Sequence, residues 1–234
     1  MNLYLRNIWK WTKRAIIAFF VLSILSTLVF RFIPVPVTPL MLIRSVEQMA
    51  DGQMPVIRKD WVPLKEMSSN IVLAVIASED QKFAEHFGFD FEAIEKVVKQ
   101  NEKLKKRGKP IKGGSTISQQ CAKNVYLFPQ RSYLRKGLEV YFTFLIELVW
   151  SKKRIMEVYL NVIEMGDGIY GVQAASRAYF KKDAKNLTSS EAALIAAVLP
   201  NPRKWNAGKP NGYINKRKNW ILRQMGHLRG TVEL

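Results

Sequence analysis

Two kinds of apolar pattern run along the chain, one unbroken block near the amino terminus and then a succession of helical stripes. Residues 15–30 (AIIAFFVLSILSTLVF) are 16 consecutive positions without a charge, and Phe32 and Ile33 extend the block past Arg31. At about 1.5 Å per residue, positions 15–33 reach about 28 Å, close to the hydrocarbon thickness of a bilayer, with Arg31 near enough to the end to snorkel. The block therefore predicts one membrane-spanning helix over 15–33. Arg6, Lys10, Lys13 and Arg14 precede it, and the first 14 residues contain no acid. That bias places residues 1–14 in the cytoplasm and everything after residue 33 outside. A cleavable signal peptide competes, but its apolar region usually spans about 7–15 residues and ends in a small-x-small site, whereas FRFIPVPVTP follows here. A buried core helix is the other alternative, opposed by the flanking charges and the Pro34-Val35-Pro36 break.

Residues 34–45 read as a linker and 46–234 as one domain. Within the linker, Leu40 to Ile43 fit either an interfacial dip into lipid or, preferably, a first core helix. Beyond it the apolar positions keep helical spacing, and no period-two alternation is long enough for a sheet, so the domain is expected to be all-α. Ser68 or Ser69 can cap NIVLAVIASED, and Asp90 can cap FEAIEKVVKQ. Thr116 with Gln119 and Thr188 with Glu191 fit capping boxes, Ser132 or Tyr133 opens a long stretch to Trp150, and Ser151 restarts a helix. Pro200 and Pro202 end AALIAAVLP. A short strand or hairpin fits near 166–171. Glu95 to Lys112, with eight basic and two acidic residues, reads as a solvated, mobile loop.

Composition narrows the class. The 234 residues are 48% hydrophobic, enough to close a core and exclude disorder. A single cysteine, Cys121, and two histidines, His86 and His227, exclude a disulfide scaffold and the common zinc cages. The formal charge is +18. For an outward-facing domain this bias suits anionic lipid head groups or a phosphorylated substrate, and nucleic acid is not an expected partner. Arg203 to Arg229 carry eight basic residues and no acid, which serves such anions or plain solubility equally well.

Three constellations could carry chemistry. In SEDQKFAEHFGFD, Glu79 and Asp80 end an apolar helix, and Glu85, His86 and Asp90 follow in one loop framed by Phe83, Phe87 and Phe89. A carboxylate held against aromatics can serve as a general base or acid near neutral pH, although acids at a helix end are commonly just solvated. In KGGSTISQQ, two glycines lead into a capped helix whose amides and dipole favour an anion. Lys123 lies one turn beyond Gln119 or Gln120 and Arg131 follows, so a phosphate could be held by both; an ordinary turn and cap is the alternative. In RKGLE, Glu139 is either a surface ion pair with Arg135 or a second carboxylate aimed into a cleft. No P-loop, G-x-S-x-G or H-E-x-x-H signature is present.

Taken together, EDQKFAEHFGFD resembles the ED-x-x-F-x-x-H-x-G-x-D motif of the peptidoglycan glycosyltransferases, the polymerase module also found in class A penicillin-binding proteins. GGSTISQQCAKN resembles their G-x-S-T-I-T-Q-Q-x-x-K-N motif, RKGLE their R-K-x-x-E and KKRIMEVYLN their K-x-x-I-L-E-x-Y-L-N. GIYGVQAASRAYFKK and LTSSEAALIAAVLPNP follow in the matching order, so the likeness covers roughly residues 45 to 225. Ser118 stands where Thr is usual and Cys121 where an aliphatic residue is usual. With its end at Leu234 leaving no room for a transpeptidase domain, the chain is similar to the family's monofunctional members.

The resemblance implies a lysozyme-like, all-α domain that polymerises lipid II into glycan strands and releases undecaprenyl pyrophosphate. It implies that Glu79 is the general base and Glu139 a second essential carboxylate, that Lys123 and Arg131 bind phosphate, and that Ser115, Thr116, Gln120 and Asn124 line the donor site. Asp80, Phe83, His86 and Asp90 would shape the loop holding Glu79. No tightly bound cofactor is implied, only a divalent cation, Mg or Mn, at the pyrophosphate. The implied partners are lipid II and the growing lipid-linked glycan, cytoplasmic membrane lipids, and other cell-wall synthesis or division proteins. The implied location is the inner membrane, single-pass, with the catalytic domain in the periplasm. A glycoside hydrolase would need a carboxyl to protonate a sugar leaving group and has no use for the cations; a non-catalytic scaffold leaves the motifs without purpose.

Overall fold

The computed structural model describes residues 3–108, 113–130 and 132–231; Lys112 and Arg131 lie outside the described residues. The chain divides into two compact units, Met1–Pro34 and Val35–Leu234. The first is a single helix, α1 (Leu3–Phe30), which begins well before the expected residue 15. Its stretch Arg6–Phe30 is long and apolar enough to cross a membrane, with a mean hydropathy of 1.9. Ile17, Leu22 and Leu25 are exposed on it, the pattern of a helix whose surroundings are lipid.

The second unit opens with α2 (Pro39–Ala50), so helix already occupies much of the span read as a linker. Pro39 sits in the first turn, where its missing N–H costs nothing, and the Thr38 side chain accepts from the Met41 N–H. Met41 is fully buried and Leu42 exposed, so Leu40 to Ile43 belong to a helix with one face in the core. A short strand β1 (Arg58–Lys59) precedes α3 (Ser69–Glu79), capped by Ser68, and α4 (Phe91–Lys106), capped by Asp90. Helix α4 corrects the loop expected over 95–112, because the segment is helical through Lys106. Its charges sit on exposed turns as i,i+4 pairs, Glu92 with Lys96 and Glu95 with Lys99.

Helix α5 (Ile117–Tyr126) starts at the expected Thr116–Gln119 capping box, α6 (Tyr133–Val149) at Ser132 and α7 (Lys152–Val162) at Ser151. The hairpin then appears as β2 (Glu164–Gly166) and β3 (Ile169–Tyr170), antiparallel to each other. β1 adds parallel to β3, with Arg58 opposite Ile169, giving the order β1-β3-β2. Helices α8 (Val172–Phe180), α9 (Ser189–Val198) and α10 (Gly212–Leu228) complete the unit, α9 beginning at the Thr188–Glu191 capping box.

Two helix clusters form the core. α3 packs against α9 and α10, and its Ala74 and Ala77 with Ala192, Ala193 and Ala196 of α9 are buried, small side chains that allow close approach. α5 packs between α6 and α7 around Ile117, Ala122, Ile146, Ile155 and Tyr159, all fully buried. Cys121 lies among them with Sγ 3.7 Å from the Ile155 carbonyl, and burial pushes its thiol pKa far above the ordinary value. The connection from α3 to α4 turns at Gly88, whose φ is +76°; a Cβ there would meet Thr143 Cγ2 at 2.9 Å and Glu147 Cγ at 3.0 Å. Only glycine takes that backbone conformation without strain and leaves the space.

Candidate active site

Helix α3 is apolar on nearly every face and runs through the core, and its last residue, Glu79, is the one acid on it. Asp80 ends the helix and turns inward. One of its oxygens accepts from the Ile117 N–H at 3.0 Å, and His86 Nε2 lies 3.0 and 3.1 Å from the two oxygens. A carboxylate at the first turn of α5 complements the dipole and satisfies an N–H that the helix cannot. Asp80 thereby ties the end of α3 to the start of α5.

The rest of the first motif builds this junction. Phe83 is fully buried, with the Lys152 ammonium 4.7 Å above its ring. Lys152 also donates to the His86 carbonyl at 2.6 Å and to Glu147 at 2.7 Å, and Ser118 donates to the same Glu147 oxygen. Asp90 accepts from the Ala93 N–H at 2.8 Å as the cap of α4. Thr116 is buried and donates to the Gly88 carbonyl at 2.7 Å. Asp80, Phe83, His86, Asp90 and Thr116 therefore form the frame of the site, Thr116 through its bond to the Gly88 carbonyl.

Glu79 itself is held from two further helices. Its Oε2 accepts from Gln120 Nε2 of α5 at 3.0 Å, and its Oε1 lies 3.5 Å from an Arg217 Nη2 on α10. Gln120 also lines a cavity of about 390 Å³ together with Ser115, Lys123, Asn124 and Glu139. The structure thus gathers five of the expected residues around one cavity. Arg135 and Lys136 line it as well, as do Arg44 of α2 and Glu164 of β2, and none of these four was expected there.

Glu139 is 2% exposed, which overturns the surface ion pair. It receives Arg135 Nη1 at 2.6 Å and Lys136 Nζ at 2.5 Å, so its charge is compensated and it braces two cations at the cavity. Among the described residues Lys123 has no ion-pair partner. Burial pushes its ammonium pKa down and the neighbouring Arg135 and Lys136 push the same way, while Glu139 and Glu79 oppose. An entering anion would relieve that strain on its charge. A protein-held divalent ion does not fit: both Glu139 oxygens are engaged by cations, and among the described residues no three His, Cys, Asp or Glu side chains gather as ligands.

A carboxylate held by amide and guanidinium donors, next to a cavity walled by cations, is the site of a group-transfer enzyme handling an anionic substrate. Comparison with known proteins agrees. Residues 47–226 match the transglycosylase family. A biosynthetic peptidoglycan transglycosylase of Bacteroides thetaiotaomicron is 55% identical over 221 residues, covering 94% of this chain and 88% of the relative. One of Haemophilus influenzae is 52% identical over 230 residues, covering 96% and 92%. The chain belongs to the transglycosylase family.

Proposed function

We propose that this protein is a peptidoglycan glycosyltransferase that polymerises lipid II into glycan strands for the cell wall, releasing undecaprenyl pyrophosphate. The family match and the names of its relatives support the activity. The observation that carries the mechanism is the placement of Gln120 and Lys123 one turn apart on α5, which joins Glu79 to the cationic cavity.

In this reading Glu79 takes the proton from the 4-hydroxyl of the acceptor sugar. The oxygen attacks the anomeric carbon of the donor, the bond to the pyrophosphate oxygen breaks, and the configuration inverts. Pyrophosphate leaves as an anion and needs charge neutralisation more than a proton. Lys123, without an ion-pair partner among the described residues, supplies an ammonium for it, Arg135 and Lys136 braced by Glu139 add two more cations, and the family resemblance assigns Arg131 to the same task. Ser115 and Asn124 line the donor side. A divalent cation would arrive on the pyrophosphate oxygens.

The α1 helix anchors the chain in the cytoplasmic membrane, with the basic amino terminus inside and Val35–Leu234 on the outer, periplasmic face where lipid-linked substrate is displayed. The basic run Arg203–Arg229 suits anionic lipids. Other cell-wall synthesis or division proteins are natural neighbours. The test is incubation of purified protein with labelled lipid II beside Glu79→Gln, followed by muramidase digestion. Muramidase-sensitive polymer from the wild type only is expected. Polymer from the variant at the wild-type rate refutes the base assignment, and none from the folded wild type refutes the function.

A further inference from the structure

We infer that Tyr159 is a positioning residue for Glu79, acting through the side-chain amide of Gln120; the inference rests on the reading of Glu79 as the base. Tyr159 lies on α7, is fully buried, and its hydroxyl donates to Gln120 Oε1 at 3.1 Å. The other end of that amide, Nε2, donates to Glu79 Oε2 at 3.0 Å and to the Ser115 carbonyl at 3.3 Å.

A glutamine amide has one accepting end and one donating end, and its orientation is set by the network around it. With the phenol hydrogen occupying Oε1, Nε2 must face the carboxylate. In the flipped amide, Oε1 would confront the Glu79 carboxylate and the Ser115 carbonyl, an acceptor against two acceptors. The phenol would then accept from Nε2, and its own buried hydrogen would lose the acceptor it has, which carries a desolvation cost. Burial and the nearby Glu79 charge keep the phenol protonated well above its ordinary range, so the donor persists across the working pH.

The groups facing Glu79 define what the relay adds. They are Lys123 from α5, Tyr159 from α7 and Arg217 from α10, while the adjoining Asp80 is turned toward Ile117 and His86. Gln120 makes the shorter contact, on Oε2, whereas Arg217 stands 3.5 Å from Oε1. Oε1 also accepts from Ser78 Oγ at 3.3 Å, so Gln120 Nε2 is the shortest of the three donor contacts on the carboxylate and the one that Tyr159 orients.

A donor to a carboxylate favours its charged form, so weakening that donor raises the pKa of the base. Tyr159→Phe keeps the ring packing and removes only the hydroxyl. The acid limb of the pH–rate profile for lipid II polymerisation is expected to move up by about one unit, a tenfold loss of rate below the limb, with KM nearly unchanged. In a Gln120→Ala background the same substitution is expected to add nothing, because the path from Tyr159 to Glu79 is already cut. A purely structural role would lower the rate equally at all pH values. An unmoved acid limb, or an equal further loss on Gln120→Ala, overturns the inference. Titration of ¹³C-labelled glutamate carboxyls in the full micelle-bound chain, with Glu79 assigned by Glu79→Gln, decides it without turnover: a raised Glu79 midpoint in Tyr159→Phe supports it and an unchanged one overturns it. If the wild type makes no polymer, the proposed function fails while this titration still stands.

Discussion

Replacing Asp80 tests whether one buried carboxylate couples the base-bearing helix to α5. The side chain is 2% exposed and serves two partners, the Ile117 N–H at the first turn of α5 and His86 Nε2. Asp80→Ala leaves that N–H and both His86 ring nitrogens buried without a partner, since Nδ1 already has none. Each buried polar group left unsatisfied costs about 1–3 kcal/mol. Asp80→Asn keeps an acceptor for Ile117 and loses the charge at the helix terminus, a cost of about 1–2 kcal/mol. For a domain of about 200 residues each kcal/mol moves the melting temperature by about 2–4 °C. The asparagine variant is therefore expected to melt about 4 °C lower and the alanine variant about 10 °C lower, read by near-UV circular dichroism of the full chain in detergent. Polymerisation well below either transition should fall in the same order, because the 3.0 Å contact between Glu79 and Gln120 depends on this junction. An asparagine variant as stable as the wild type, with an alanine variant within about 1 kcal/mol of it, would refute the account.

Two further outcomes follow from the site and its frame. Burial lowers the Lys123 pKa, so its ammonium is lost at a lower pH than an ordinary lysine's. Inhibition by a polyprenyl pyrophosphate, followed from about pH 7 to about pH 10, should weaken as pH rises, and Lys123→Arg should remove that weakening because guanidinium stays charged; the same alkaline loss in the arginine variant would refute it. Gly88→Ala imposes the left-handed backbone on a residue with a Cβ and drives it against Thr143 and Glu147, for an expected loss of about 2–5 kcal/mol in the same melting experiment.

What the sequence discloses divides along contact range. Six helix starts, at Ser68, Asp90, Thr116, Ser132, Ser151 and Thr188, were legible because a cap is a local arrangement of a few residues. The loop expected over 95–112 failed where charge content outweighed helical pairing: α4 is polar because most of its surface is exposed, and its Glu–Lys spacing was the better guide. β1 was missed because two residues pair with a partner more than a hundred positions away. At the site, Glu79, Gln120, Lys123 and Glu139 fall within motifs and were found. Arg217 reaches Glu79 across 138 residues, amid a run of basic side chains that gives it no local mark. Arg44 reaches the cavity from a helix that had been read mainly as a linker. Arg135 and Lys136 were visible only as companions of Glu139, because nothing in a spacing of three or four says that the pair is buried.

The buried thiol of Cys121 makes the chain a clean background for probe chemistry. It is the chain's only cysteine, it is enclosed by the α5–α6–α7 cluster, and its thiolate is strongly disfavoured. The folded native protein should therefore ignore maleimides and iodoacetamide. A single cysteine placed on an exposed position such as Val98 or Leu148 can then carry a fluorophore or spin label without first removing the native one.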